Sequence, residues 1–277
     1  MEHQNHPQDS ALHDPTGQRV LDLYNQGLAE APASIWSASQ LEVLNLANNK
    51  LTSLPEALGG LSNLRMLDLG HNRIRSIPES IGKLRELRFL YLSDNGFEQV
   101  PADIGKLRKL QYLNLTDNQL TTLPDEVGNL KELVEFRLYN NRLPALPNSI
   151  GRLKNLGELY LSNNRLSGLP KSIGRLKNLR KLVLENNLIE SLPNALGEAS
   201  ALTDLDLRFN RLTVLPGSIG RLKNLRFLDL RANRLADLPE TLSGLRKLEK
   251  LDLRWNQFGT APAWIRKLER RGTLVYL

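Results

Sequence analysis

The sequence predicts an α/β solenoid, a right-handed horseshoe with a parallel sheet on its concave side and short helical or 3₁₀ segments on its convex side. Two observations carry this. One frame recurs every 23 residues, starting at Leu41, Leu64, Leu87, Leu110, Leu133, Leu156, Leu179, Leu202, Leu225 and Leu248, with no insertion or deletion between copies. Inside each copy the apolar spacing changes from two residues to four and three, so each unit holds one strand and one helical turn. A fixed period of this length belongs to chains in which a unit buries its apolar face only by stacking on its neighbours, and such an array grows without a second core.

The copy from Leu156 to Asn178 shows how one unit is built. Leu159 and Leu161 stand two apart, the strand period, and turn to one side while Glu158, Tyr160 and Ser162 turn to the other. Leu169, Ile173 and Leu176 are spaced for a helical turn. Pro170 suits its start, where a missing N–H costs nothing, and Gly174 is expected to break it through backbone freedom. Parallel strands stack about 4.8 Å apart, closer than helical segments can, so the strands take the inside of the curve. At the ninth position stands Asn49, Asn72, Asn95, Asn118, Asn141, Asn164, Asn187, Asn210, Asn233 or Asn256. An amide has both donor and acceptor, and the row is read as structural, closing backbone groups freed where the strand bends.

The pattern LxxLxLxxNxLxxLPxxIGxLxN resembles the leucine-rich repeat family, in particular its 23-residue class with LPxxIG on the outer face, as in bacterial repeats and the intracellular Ras-suppressor and plant Ras-group proteins. The resemblance runs over nearly the whole chain. It implies a non-enzymatic adaptor or scaffold that holds a protein ligand on its concave face, with a small GTPase, kinase or phosphatase as partner types. It brings no catalytic residue and no cofactor. The alternative is a secreted bacterial effector, or the recognition part of a larger repeat-plus-kinase or repeat-plus-GTPase protein.

Along the chain, residues 1–17 form a polar tail, 18–40 an eroded capping repeat, 41–270 ten regular repeats and 271–277 a terminal strand. Leu21, Leu23, Leu28 and Ile35 keep the frame in the cap, while Gln18, Gln26, Ala31 and Ala38 depart from it. Ala261 replaces a leucine near the far end, and Leu274 and Tyr276 are expected in the inward places of the last strand. The tail has no apolar core of the secretion type and no run is long enough to span a membrane, so a cytoplasmic protein is expected, with delivery to a host cell without a signal peptide as the other route. No cysteine occurs, which excludes disulfides and thiolate sites. His3, His6 and His13 lie in the tail without ligand company, so no metal is expected, and the glycines lack a phosphate-loop pattern.

The net charge of +7 and pI near 9.7 raise the question of nucleic acid. Its carriers answer against it. Lys83, Lys106, Arg152, Arg175 and Arg221 share position twenty, and Arg85, Arg108, Lys131, Lys154, Lys177, Lys223 and Arg246 share position twenty-two, on the outer face without interleaved aromatics. A solvated convex surface explains them. Function is expected instead at positions three, five, seven and eight, which packing leaves free. Phe89, Tyr91, Tyr112, Glu135, Arg137, Tyr139, Glu158 and Tyr160 gather there, with tyrosines in four consecutive units. Asp206, Arg208, Phe209, Asp229, Arg231, Asp252, Arg254 and Trp255 form a second, more polar stretch, whose acidic and basic residues are expected to neutralise one another.

Overall fold

The computed structural model describes residues 19–260 and 262–277. The tail with its three histidines, Gln18 of the capping repeat and Ala261 lie outside the described residues. The strands are β1 (Val20–Asp22), β2 (Val43–Asn45), β3 (Met66–Asp68), β4 (Phe89–Tyr91), β5 (Tyr112–Asn114), β6 (Glu135–Arg137), β7 (Glu158–Tyr160), β8 (Lys181–Val183), β9 (Asp204–Asp206), β10 (Phe227–Asp229), β11 (Lys250–Asp252) and β12 (Leu274–Tyr276). They form one sheet of 12 strands in chain order, each parallel to the next. Leu90 sits beside Leu113 and Leu159 beside Leu182, so the sequence period becomes a spatial register and equivalent side chains stack on one another.

Between strands the chain runs through a five-residue 3₁₀ segment, for instance Lys171–Arg175 after Pro170. Pro170 has φ −67° and ψ 148°, which sets the entry, and its carbonyl accepts from the Ile173 N–H at 3.0 Å. Of the apolar positions of this unit, Leu156, Leu159, Leu161, Leu166, Ile173 and Leu176 are fully buried and Leu169 is half-buried against them. They make one continuous core between the sheet and the 3₁₀ layer.

The asparagine row lines the bend after each strand. Asn164 accepts from the Leu143 N–H of the preceding unit at 3.0 Å, and its amide donates to the carbonyls of Leu138 at 2.9 Å and Leu161 at 3.1 Å, with Ser162 at 3.3 Å. Asn141 repeats the pattern one unit earlier. The residue just before each asparagine is left-handed throughout, from Asn48 (φ 58°) to Trp255 (φ 62°), and so is the equivalent Asn25 (φ 55°) before Gln26. Position eight is therefore held by the backbone at the sheet's rim, whereas the sequence pattern placed it on the free concave face. Asn and Asp fill most of it because their short polar side chains tolerate this conformation. Along part of the rim these side chains also link laterally, Asn140 to Asp117, Asn163 to Asn140 and Asn186 to Asn163 at 2.5, 2.5 and 2.7 Å.

The repeated glycines serve a different purpose from the one the sequence pointed to. Gly174 lies inside its 3₁₀ segment and is not left-handed, so neither helix breaking nor a special φ requires it. A β-carbon there would stand 2.0 Å from the Ala195 carbonyl oxygen, and at Gly151 2.4 Å from that of Ser172. The glycines let successive 3₁₀ segments approach, which keeps the convex layer compact.

The last strand also departs from the frame. Leu251 pairs with Val275, so β12 is shifted by one residue from the 23-residue register. The outer segment here is α-helical, α1 (Ile265–Glu269), and the path through it and Gly272 takes one residue more. A one-residue shift exchanges the two faces of a strand. Val275 consequently takes the core side, and Leu274 and Tyr276, expected inward, are exposed.

Two substitution pairs test this packing by urea denaturation. Gly174→Ala is expected to cost about 1–3 kcal/mol or more through overpacking, whereas Gly168→Ala, where a β-carbon meets nothing within 4 Å, should be neutral or slightly stabilising. Asn141→Ala or Asn164→Ala should cost about 1–3 kcal/mol by leaving buried backbone groups unpaired, and Asn256→Ala, at a half-buried position, should cost less.

Candidate functional site

Positions three and five of every strand point away from the core, so they form two parallel rows across the concave face. In the third-position row, Phe89 lies beside Tyr112, Tyr112 beside Glu135 and Glu135 beside Glu158. The fifth-position row brings Tyr91, Asn114, Arg137 and Tyr160 into sequence. Side chains then bridge the rows. The Tyr91 and Tyr112 rings lie 4.9 Å apart, and the Arg137 guanidinium stands 5.6 Å from the Tyr112 ring centre and 5.3 Å from that of Tyr160. The Lys181 ammonium closes the far side at 5.2 Å from Tyr160. Cations over aromatic faces are attracted by the ring quadrupole, so this is one connected stack across five strands.

Two carboxylates fix its orientation. Arg137 Nε donates to Glu135 at 2.5 Å, and the Tyr160 hydroxyl donates to Glu158 at 2.5 Å. Burial pushes the Tyr112 hydroxyl up to about 12, against the opposing pull of Arg137. Burial likewise raises Tyr160, helped by its bond to Glu158, and raises Tyr91. All three therefore remain hydrogen-bond donors at neutral pH. Phe89 is 38% exposed at the margin of this stack. Tyr139, at position seven, is half-buried and among the described residues makes no ring pair with the others. Lys181 was not singled out in the sequence, although it occupies the same third position as Phe89 and Tyr112.

The second stretch is an ion-pair network. Arg208 reaches Glu185 at 2.8 Å and Asp206 at 3.1 Å; Arg231 reaches Asp229 at 2.6 Å and Asp252 at 3.5 Å; Arg254 reaches Asp252 at 2.7 Å. Two carboxyls of this row, with Asp229 between them, respond in opposite directions. Burial raises Asp252, but the bonds from Arg254 and the charges of Arg254 and Arg231 outweigh it and hold the group below the usual carboxylate range. Asp206 shares its arginine with Glu185, and burial lifts it to about 6, with the nearby Asp229 and Glu185 charges adding to the rise. A cleft of about 240 Å³ opens where Val183 is short, bordered by Lys181, Asp204, Asp206, Phe227 and Lys250. Phe209 and Trp255 stand apart from these strand residues, on the left-handed rim, with their rings 6.4 Å apart.

Among the described residues no group of His, Asp and Glu is arranged to hold a metal ion, and no helix is long and apolar enough to cross a membrane. What the face presents is aromatic surface, hydroxyl and guanidinium donors, and paired charges on a rigid sheet. These are means of recognition.

An open parallel sheet closed at each bend by a stacked asparagine defines the leucine-rich-repeat solenoid. A family model described as leucine rich repeat matches residues 19–74, 39–97, 131–189, 154–212 and 200–258, and one described as leucine-rich repeat region matches 79–159, so the chain belongs to the leucine-rich repeat family. Among solved structures it is similar to a leucine-rich-repeat protein of Leptospira interrogans at 25% identity, covering 97% of this chain and 98% of that one, with a TM-score of 0.53. It is also similar to the ectodomain of the receptor kinase GASSHO1/SCHENGEN3 of Arabidopsis thaliana in complex with CASPARIAN STRIP INTEGRITY FACTOR 2, at 30% identity over 93% of this chain and 35% of that chain, with a TM-score of 0.66. The functional domain of InlJ from Listeria monocytogenes shares the fold at 24% identity, covering 93% of this chain and 52% of its own, with a TM-score of 0.78. Comparison with curated proteins finds no match.

The raised carboxyl gives a pH test. The folded Asp206 binds its proton more tightly than an unfolded aspartate, so it costs stability above about pH 6, and the cost is relieved as pH falls through 6 toward 4. Asp206→Asn is therefore expected to gain stability relative to the parent at pH 8 compared with pH 5, by about 1.4 kcal/mol, measured as the difference between paired urea denaturation curves. An equal difference at both pH values would show that the carboxyl is not strained by burial.

Proposed function

We propose that the protein is a non-enzymatic scaffold of the adaptor type that binds a protein ligand on its concave face, with Phe89, Tyr91, Tyr112, Glu135, Arg137, Tyr139, Glu158 and Tyr160 as the principal contact surface. The connected stack from Tyr91 through Tyr112, Arg137 and Tyr160 to Lys181 carries this reading. Tyrosine and arginine bring large contact area with polar handles, and they dominate interface energetics. Here Glu135 and Glu158 already hold Arg137 and Tyr160 in place, so a partner loses less side-chain freedom on docking. The similar Arabidopsis ectodomain in complex with a named factor supports the same use of the fold. The asparagine row is assigned a structural role, and Asp206, Arg208, Phe209, Asp229, Arg231, Asp252, Arg254 and Trp255 a secondary contact role.

Affinity capture with mass spectrometry supplies the partner, and calorimetry then tests the surface. Tyr112→Ala or Tyr160→Ala is expected to weaken binding by about 2 kcal/mol while changing stability by less than about 1 kcal/mol. Arg85→Ala and Lys154→Ala, on the convex side, should leave affinity unchanged. A larger loss from the convex pair than from the tyrosines would move the ligand to the outer face.

A further inference from the structure

We propose that the rim near the C-terminal end carries a second docking element, a Phe209–Trp255 platform bordered by Arg211 and Arg234, which takes an acidic peptide segment anchored by an apolar side chain. It rests on the secondary contact role given above to Phe209 and Trp255 and adds the chemistry of their ligand, which differs from that of the tyrosine surface. Position eight is left-handed in every unit from Asn25 to Trp255. Up to Asn186 its occupants are Asn, Asp and one His, residue types that accept this conformation. At the end of the row they are Phe209, Ala232 and Trp255, with φ of 55°, 53° and 62°. Bulky side chains destabilise a left-handed backbone, and the lateral amide links that run from Asp117 to Asn186 stop where they begin.

Burial is the ordinary compensation for such a cost, and it is missing here: Phe209 is 45% and Trp255 65% exposed. Ala232, between them in the row, carries only a methyl, and the two rings meet across it with centres 6.4 Å apart. Neither backbone preference nor the core therefore accounts for the aromatic pair, and contact with a partner does.

The charges on either side select that partner. Toward the sheet, Arg208, Arg231 and Arg254 are paired with Asp206, Asp229 and Asp252. Two residues beyond Phe209 and Ala232 in the chain come Arg211 and Arg234, both exposed, and among the described residues no carboxylate lies within 4 Å of either. Two residues beyond the aromatic position the same rim therefore carries positive charge without a carboxylate partner, which attracts carboxylates and repels a basic segment. Guanidinium and aromatic groups also suit single-stranded nucleic acid, but a continuous phosphodiester chain needs free basic groups along its length, whereas Arg208, Arg231 and Arg254 are already engaged by carboxylates; a short acidic segment needs no more than Arg211 and Arg234.

Selection of a random-peptide phage library on the full chain, followed by titration with the synthetic form of the most enriched peptide, tests this. Recovered sequences should place an apolar residue close to Asp or Glu. That peptide should lose about tenfold in affinity on Phe209→Asn or Trp255→Asn and severalfold on Arg211→Gln with Arg234→Gln, and bind Tyr112→Ala like the parent. Both asparagine variants should melt at or above the parent temperature, since asparagine suits the left-handed site. Recovery of no peptide, of basic peptides or of peptides indifferent to Phe209→Asn overturns the proposal. So does tighter binding of an oligothymidylate than of the peptide, or a melting temperature lowered by several degrees in both asparagine variants, which would make the rings packing elements.

Discussion

The asparagine amide at each bend joins two units by hydrogen bonds to backbone groups of both, while every strand is only three residues long. Asn164 meets an N–H and a carbonyl of the preceding unit as well as carbonyls of its own. A buried backbone group left unpaired costs about 1–3 kcal/mol, so a row of such amides decides whether the chain can turn at the same place in every unit. Once the turn is constant, the register is constant, and each leucine lies on its own equivalent in the next unit. The stacked core follows from that repetition.

The opposite layer obeys a steric rule. Gly151 and Gly174 face the carbonyl oxygens of Ser172 and Ala195 at distances no β-carbon tolerates, so the 3₁₀ segments nest only because those positions lack side chains. Sheet and outer layer are then both held tightly, and the concave residues stand on a scaffold that does not need to reorganise. A stack such as Tyr91, Tyr112, Arg137 and Tyr160 depends on this, because cation–π geometry is lost over small displacements. The same rigidity sets the charges of the second stretch. Asp252 lies among three cations and stays ionised easily, whereas Asp206, one strand-pair away, shares a single arginine and does not.

Much of this was legible in the sequence because periodicity reports the direction of a side chain, and direction is a local property. The spacing of Leu159 and Leu161 places them in the core and puts Glu158 and Tyr160 on the opposite face, whatever the neighbours are. The ninth-position amide, the proline that opens each 3₁₀ segment, the parallel order of the strands and the gathering of tyrosines in adjacent units all follow from the same counting.

Tertiary structure alone decided what depends on distance between units or on the exact backbone path. The role of Gly174 turned on an oxygen belonging to Ala195, and nothing in its own unit announces that contact. The left-handed state of Phe209 and Trp255 became visible only with φ angles, since the frame marks position eight as free. Lys181 joins the aromatic stack because its long side chain leans toward Tyr160, a choice among rotamers that sequence does not encode locally. And the last strand slipped by one residue, carrying Leu274 and Tyr276 to the open face, because an α-helix replaced the 3₁₀ path before it: a period counts residues, but the length of chain a connection consumes is set by its conformation.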